Sequence, residues 1–327
     1  MNKTFCWGII GTGGIANAFT RDLEFVLNHK ISAVLSRSKQ TANQFLKNNN
    51  LSDCKVYSDI RLFMQDPDID AVYIATPNTF HCEQAKTALR SKKPVLCEKP
   101  VAIDTKEATS MIQTSKENNT TFLEGMWMRY LPHIEFVKKA IDKNKIGRIQ
   151  SIFACHGQNL KSVNNPRLWT RSLGGGALLD LGVYVVSFAH MILGSPEEII
   201  SKSVFTSKGV DAKTSMIFKY FNGAIANLSC SMYDSQPNRA VISGENGWIE
   251  IAPTFYAPSK VMINRNRKEN LSYNISYRGH GLREQAIELE HCVNSKNIES
   301  PKMPHSESIA VMKSMDKIRK QIGLKFN

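Results

Sequence analysis

Between Lys3 and Arg37 an apolar run, Phe5-Cys6-Trp7-Gly8-Ile9-Ile10, leads straight into Gly11-Thr12-Gly13-Gly14-Ile15-Ala16. A helical segment to about Asn28 and a second apolar run, Ile31-Ser32-Ala33-Val34-Leu35, complete the stretch. The pattern is strand, glycine turn, helix, strand, within the ~30 residues of one crossover unit. Gly11 permits the tight turn, and Gly13 lets the main chain approach a pyrophosphate where a Cβ would stand in the way. Small Ala16 lets the helix pack close to the strand, while the unpaired N–H groups of its first turn face the phosphates. A bare glycine string is a weak signal. This one follows a strand and opens a helix, which is the context a dinucleotide site requires.

Ser36-Arg37-Ser38-Lys39 follow the second strand. Sites that bond a free ribose 2′-hydroxyl place Asp or Glu there, roughly 20 residues past the glycines. Here no carboxylate is present to repel a phosphate. Arg37 offers two parallel N–H donors, and the hydroxyls of Ser36 and Ser38 add more. The expected cofactor is NADP(H) over NAD(H).

The alternation continues. A helical pattern spans Thr41 to Asn48, a short strand Lys55 to Tyr57, and a helix capped by Ser58 runs through Gln65. The apolar strand Ala71 to Ala75 ends in Thr76-Pro77-Asn78, and a helix carrying His81 runs to Arg90. Pro94 to Cys97 is the next strand, followed by Glu98-Lys99-Pro100, a helix bracketed by Asp104 and Glu107, and the strand Thr121 to Glu124. This predicts an α/β domain, a doubly wound parallel Rossmann sheet, over residues 1–124. Ligands of such sheets bind beyond the carboxyl ends of the strands, so the clusters at Thr76 and Glu98 should converge with the glycine turn.

Past residue 125 the character changes to α+β. A helix from Pro132 to about Lys143 precedes a strand, Ile149 to Gly157, and a polar loop to Leu173. Gly174-Gly175-Gly176 then opens a buried helix through His190, stopped at Gly194. From Glu198 to about Ile275 residues alternate in strand fashion, with hairpin dipeptides Asn222-Gly223 and Asn246-Gly247. Helices from about Leu282 to Val293 and Ser306 to Ile322 follow. Residues 125–327 are thus expected to form an open-faced, mostly antiparallel sheet with helices, whose last helix can pack back on the first domain.

The formal charge of +13 comes from 42 basic and 29 acidic residues. They are scattered as single residues and short pairs, which argues against nucleic acid. Seven cysteines, odd in number and without a C-x-x-C pair, suit reduced thiols of a cytoplasmic protein. No signal peptide is expected, and no apolar window approaches the ~18 residues of a membrane span. No convergent His, Cys and carboxylate set suggests a metal.

Asp180 and Tyr184, four apart on the expected helix, should share one face. A carboxylate on an apolar helix needs a partner, for which Lys99 is a candidate. On residue chemistry alone Asp180 serves equally as a structural ion-pair member or in catalysis, and Tyr184 can simply pack.

The glycine turn, the Ala75-Thr76-Pro77-Asn78 segment with His81, and Pro94 through Glu98-Lys99-Pro100-Val101 resemble the Gfo/Idh/MocA oxidoreductases. Glu124 to Arg129, Gly174 to Tyr184 and Pro301 to Ser308 narrow this to a branch that holds dimeric dihydrodiol dehydrogenase and NADP-dependent D-xylose dehydrogenase. The resemblance spans essentially the whole chain. It implies Lys99 and Tyr184 as the catalytic pair, with Asp180 holding Lys99. It places cofactor contacts on Thr12, Ile15, Ser36, Arg37, Thr76, Asn78, His81, Glu98 and Lys99, alongside Gly11, Gly13 and Ser38 from the motifs. Trp127, Arg129 and Trp169 fall where the branch lines the substrate pocket or nicotinamide site. The implied protein is a homodimer, joined through its open sheet, that transfers hydride between NADP and a vicinal diol or cyclic sugar. An inositol or nucleotide-sugar dehydrogenase and a non-catalytic NADP-binding sensor are the alternatives.

Overall fold

The computed structural model describes residues 4–266, 268–274 and 276–326; Lys3 and Ile275, named above as segment limits, lie outside them. Two compact units are interleaved along the chain. The first takes residues through Ala102, Lys106–Trp127 and Arg278–Ser308; the second takes Ile103–Thr105, Met128–Tyr277 and the chain from Ile309 onward. A single limit at 124/125 therefore does not describe the path, because the chain returns to the first unit near its end.

In the first unit, β1 (Phe5–Ile10), β2 (His29–Leu35), β3 (Lys55–Tyr57), β4 (Ala71–Ile74), β5 (Val95–Glu98) and β6 (Phe122–Gly125) form one parallel sheet in the order β3-β2-β1-β4-β5-β6. The order reverses between β1 and β4, the switch point where such sheets hold ligands. β4 and β5 are buried along their whole length, as a sheet covered on both faces demands. The connecting helices are α1 (Gly14–Leu23), α2 (Lys39–Asn48), α3 (Ile60–Gln65), α4 (His81–Arg90) and α5 (Thr105–Asn118).

Two boundaries depart from the expectation. α1 stops at Leu23 instead of near Asn28, because the chain folds into turns that end with Asn28 in the left-handed region at φ 65°. The cap of α3 is Asp59, not Ser58: the Asp59 carboxylate accepts the Arg61 N–H at 2.7 Å.

The late segment closes the first unit. Asp22 on α1 is buried, and its carboxylate accepts the N–H groups of His280, Gly281 and Leu282, each at 2.7 Å. Helix α9 (Arg283–Asn294) follows, with Glu290 bonded to His29 at 2.9 Å, and Phe122 of β6 donates to the Ile298 carbonyl.

In the second unit, α6 (Pro132–Asp142) precedes β7 (Ile149–Gly157), and the loop expected to be irregular contains a short helix, α7 (Pro166–Trp169), capped by Asn165. A single π-turn (Leu178–Gly182) then runs into α8 (Val183–Leu193). β8 (Glu198–Phe205), β9 (Asp211–Lys219), β10 (Ile225–Ser231), β11 (Ala240–Gly244), β12 (Gly247–Ile251), β13 (Val261–Arg265) and β14 (Leu271–Tyr273) join β7 in the order β14-β13-β12-β11-β7-β10-β9-β8. Every neighbouring pair is antiparallel except β7 with β10. One face packs on α8. The other carries exposed apolar side chains, and cross-strand register aligns Ile200, Ile217, Asn227, Phe153 and Val241 in one row. Helix α10 (His305–Ile322) is the last element.

The helical stretch Arg171–Leu193 is long and apolar enough to cross a membrane, which corrects the expectation that no such window exists. Its window is 83% buried inside the fold, the behaviour of a core helix. All seven cysteines are thiols outside any disulfide.

Two histidines of this unit are buried in neutral form. His133 donates to the Phe255 carbonyl, and His190 bonds to Ser314. Burial pushes each pKa down to about 4, with Arg129 adding to the effect at His190. Stability from each is therefore present above the ordinary histidine value and lost as pH falls from about 6.5 toward 4, on the order of 3 kcal/mol apiece at the acid end. Denaturant titrations at pH 7.5 and pH 4.5 should show this loss, and His190→Gln should make the two titrations differ less than in the parent protein. An identical pH dependence in the variant would contradict the assignment for His190.

Candidate active site

In the first unit the expected cofactor residues gather at the carboxyl edge of the sheet. Gly11 sits at φ 96°, where a Cβ would come within 2.8 Å of the Ala75 carbonyl oxygen, so only glycine fits. A Cβ at Gly13 or Gly14 would meet nothing within 4 Å, leaving the start of α1 open to an incoming group. Thr12 and Ile15 flank it, both half-buried.

Arg37 is exposed after β2, its guanidinium 5.9 Å from the centre of the Phe80 ring. The two serines beside it have local work. Ser38 caps α2 by accepting the Thr41 N–H, and the Ser36 hydroxyl bonds the Thr41 hydroxyl at 2.8 Å. Arg37 is thus the member of this trio that reaches outward.

After β4, the Thr76 hydroxyl donates to Gln84 and Asn78 is buried. His81 lies between the carbonyl oxygens of Pro100 and Thr76, at 3.0 and 2.9 Å from its two ring nitrogens, and so ties the turn after β5 to the turn after β4. The carboxylate of Glu98 accepts the Tyr73 hydroxyl at 2.5 Å and its neighbour's N–H, that of Lys99, at 3.3 Å. Lys99 is half-buried, and its peptide bond to Pro100 is cis. Trp127 is buried at the end of this unit.

In the second unit Tyr184 is buried in the first turn of α8, and the turn before it is not the uniform α-helix expected. The Val183 N–H reaches back to the Leu178 carbonyl, five residues away, which makes the π-turn. Gly182 permits it, since a Cβ there would lie 3.0 Å from Cys230 Sγ on β10. Asp180 projects from this turn and accepts a bond from Arg167 at 3.0 Å. Arg129, expected against substrate, is buried and donates to the Ser187 hydroxyl and carbonyl, bracing α8. Trp169 donates to the Val163 carbonyl, with its ring 6.4 Å from that of Tyr233.

Sequence reasoning missed several groups here. His156 packs edge-on to Tyr184 at 5.1 Å and stacks on Tyr256 at 3.9 Å, and the rings of Tyr184 and Tyr256 are 5.0 Å apart. Gln158 bonds both His156 and the Tyr256 hydroxyl. Burial raises the Tyr256 pKa, offset by the Gln158 bond and reinforced by Asp180, so Tyr256 stays a neutral phenol. The strand expected over Ile149 to Gly157 contains His156, but nothing local joined residue 156 to residue 256.

Asp211, the first residue of β9, was also missed. It is fully buried, and one carboxylate oxygen accepts the Leu178 N–H and the Thr214 hydroxyl, both at 2.8 Å. The other oxygen has no hydrogen-bond partner among the described residues and occupies the space a side chain at 176 would need. Burial raises the Asp211 pKa to about 6, against the pull of its Thr214 and Leu178 bonds. Asp211 thereby anchors the entry to the π-turn, and Gly176, at φ 118°, is glycine because of it.

Among the described residues no three His, Cys, Asp or Glu side chains converge as a metal site would.

Residues 5–126 match the family model described as "Oxidoreductase family, NAD-binding Rossmann fold", and residues 134–250 match the "GFO/IDH/MocA C-terminal domain". A trans-1,2-dihydrobenzene-1,2-diol dehydrogenase of Xenopus tropicalis is 31% identical, covering 98% of each chain. The Homo sapiens protein of the same name is 27% identical over 98% of this chain and 97% of its own. Among solved structures, a 3-ketoreductase from Actinomadura kijaniata in complex with NADP and TDP-benzene superposes with a TM-score of 0.85 at 24% identity over 98% of both chains. An aldose-aldose oxidoreductase from Caulobacter crescentus gives 0.87 at 20% identity, covering 98% of this chain and 97% of its own.

The contact between Gly176 and Asp211 can be tested directly. A methyl group at 176 would lie 2.2 Å from the Asp211 oxygen on a backbone that L-residues avoid. Gly176→Ala should lower stability by about 2–4 kcal/mol, from left-handed strain plus overpacking. An unchanged denaturation midpoint would show that Asp211 does not hold this turn.

Proposed function

The chain belongs to the GFO/IDH/MocA oxidoreductase family, and on that premise we propose that it is an NADP-dependent dehydrogenase of a vicinal diol or cyclic sugar, with Tyr184 as the acid–base group. The observation that carries this reading is the Tyr184 phenol, buried against His156 and Tyr256 at a helix start entered through a glycine-rich π-turn. Such turns recur at functional sites.

The first unit fits the dinucleotide. Gly11 supplies the turn, the uncrowded start of α1 offers N–H groups to a pyrophosphate, and Arg37 suits the 2′-phosphate where a carboxylate would repel it. When bound, the nicotinamide accepts or returns the hydride.

The protein's own task is to move the hydroxyl proton. A tyrosine near its ordinary pKa of about 10 is a weak base at neutral pH, and a neighbouring ammonium favours the phenolate. In this reading Tyr184 takes the proton in oxidation and returns it in reduction, and Lys99 is the other member of the catalytic pair, contributing the positive charge such a reaction uses. Asp180, the third residue of the set in this reading, accepts a bond from Arg167 within the second unit. Trp127 and Trp169 border the substrate. The reaction so written requires no metal. The exposed apolar side chains Ile200, Ile217 and Phe153 on β8, β9 and β7 suit burial against a second copy of the chain, a homodimer.

Tyr184→Phe should still bind NADPH by fluorescence titration, while turnover on any accepted diol or sugar falls at least ~100-fold. Unchanged turnover would remove Tyr184 from the mechanism. Arg37→Ala should weaken NADP binding by about 10- to 100-fold, the scale of a lost charge-assisted contact, and leave NAD binding nearly unaffected. Equal losses for the two cofactors would show that Arg37 does not read the 2′-phosphate.

A further inference from the structure

The glycine turn is held from inside the first unit by a side chain of the helix it opens. Asn17, in the first turn of α1, is half-buried, and its Nδ2 lies 2.8 Å from the Gly13 carbonyl oxygen and 3.5 Å from that of Thr12. Its Oδ1 accepts from Nδ2 of Asn49 at 2.8 Å, and the same Asn49 nitrogen donates to the Phe45 carbonyl at 2.8 Å. The backbone settles which way both amides face. A carbonyl oxygen only accepts, so the atom turned toward Thr12 and Gly13 is the nitrogen of Asn17, and the atom turned toward Phe45 is that of Asn49. Asn49 is buried where α2 ends, and its own Oδ1 has no hydrogen-bond partner among the described residues. A desolvated amide with one unmatched oxygen costs stability, which the two bonds of its nitrogen must offset.

The effect on the turn follows from peptide geometry. In a planar trans peptide the carbonyl and the next residue's N–H point in opposite directions, and both peptides here are trans. Drawing the Thr12 and Gly13 carbonyls toward Asn17 therefore turns the N–H groups of Gly13 and Gly14 away from it. Space is open around these two residues, where a Cβ would meet nothing within 4 Å.

Resting on the reading of this turn as the pyrophosphate site, we propose that Asn17, braced by Asn49, is a positioning residue for the cofactor. It fixes the two peptide planes whose N–H groups meet the pyrophosphate. This task is separate from that of Arg37, whose loop is held by its own bonds from Ser36 and Ser38 to Thr41. The pyrophosphate is common to NADP and NAD, whereas the 2′-phosphate belongs to NADP alone. Losing Asn17 therefore weakens both dinucleotides alike.

The test measures Kd for NADPH, NADH and adenosine 2′-phosphate by calorimetry on the full chain. Asn17→Leu keeps the size of the side chain, favours the helix and removes the donor. Kd should rise about 10-fold for NADPH and by the same factor for NADH. Adenosine 2′-phosphate, which has no pyrophosphate, should bind within about two-fold of the wild-type affinity, a selectivity that a general loss of structure would not give. Asn49→Leu, which leaves Asn17 in place without its brace, should show the same pattern with a smaller rise. The double variant should match Asn17→Leu alone, because both changes act through one amide. The two residues sit on different helices, so either single variant decides the point if the other misfolds. Dinucleotide affinities unchanged in a folded variant would overturn the proposal, as would a loss that extends equally to adenosine 2′-phosphate; in both cases the assignment of the turn would stand. A wild-type protein that binds none of the three would overturn that assignment together with the proposal.

Discussion

A buried carboxylate that accepts two bonds on one of its oxygens organises the second unit. Asp211 reaches from the start of β9 to the Leu178 N–H, and its other oxygen lies where a side chain at 176 would be. Both effects act on the chain just before Asp180 and Tyr184. Burying an acid this way is unfavourable, which is why its pKa rises, yet the exchange is local and specific. The backbone can take only one path past that oxygen, and the π-turn follows from that path. Where Asp180 and Tyr184 sit is therefore decided by a residue about thirty positions later in the chain, on a different element.

The same logic explains which parts of the molecule were legible beforehand. Period and punctuation revealed the parallel sheet, because β1, β2 and β4 carry apolar runs that end close to turn residues. β7 and the stop at Gly194 were readable for the same local reasons. The π-turn was not, since a helix drawn from spacing alone cannot register an extra residue accommodated by Gly182 beneath Cys230. The partner of Asp180 was also hidden. Arg167 lies on a four-residue helix inside what reads as a polar loop, and its bond depends on that loop folding back.

Ser36, Ser38 and Arg37 teach a narrower lesson. Three polar residues after a strand look like one phosphate-binding group. The fold divides them: the serines build the start of α2, and the arginine projects outward. Serine is favoured at helix starts for reasons unrelated to any ligand, so its presence in a binding motif carries two meanings at once.

The return of the chain to its first unit bears on how the protein is made. Asp22 emerges from the ribosome early, and the three N–H groups that satisfy it belong to His280, Gly281 and Leu282. Synthesis proceeds from the amino end, so the nascent nucleotide-binding half must wait, incompletely closed, while the whole of the intervening sheet is translated. A gene fragment that stops after Trp127 would encode all six strands of the parallel sheet and still leave a buried acid without its donors. Such an excised half would be a client for chaperones and proteases, although every residue of its glycine turn is intact.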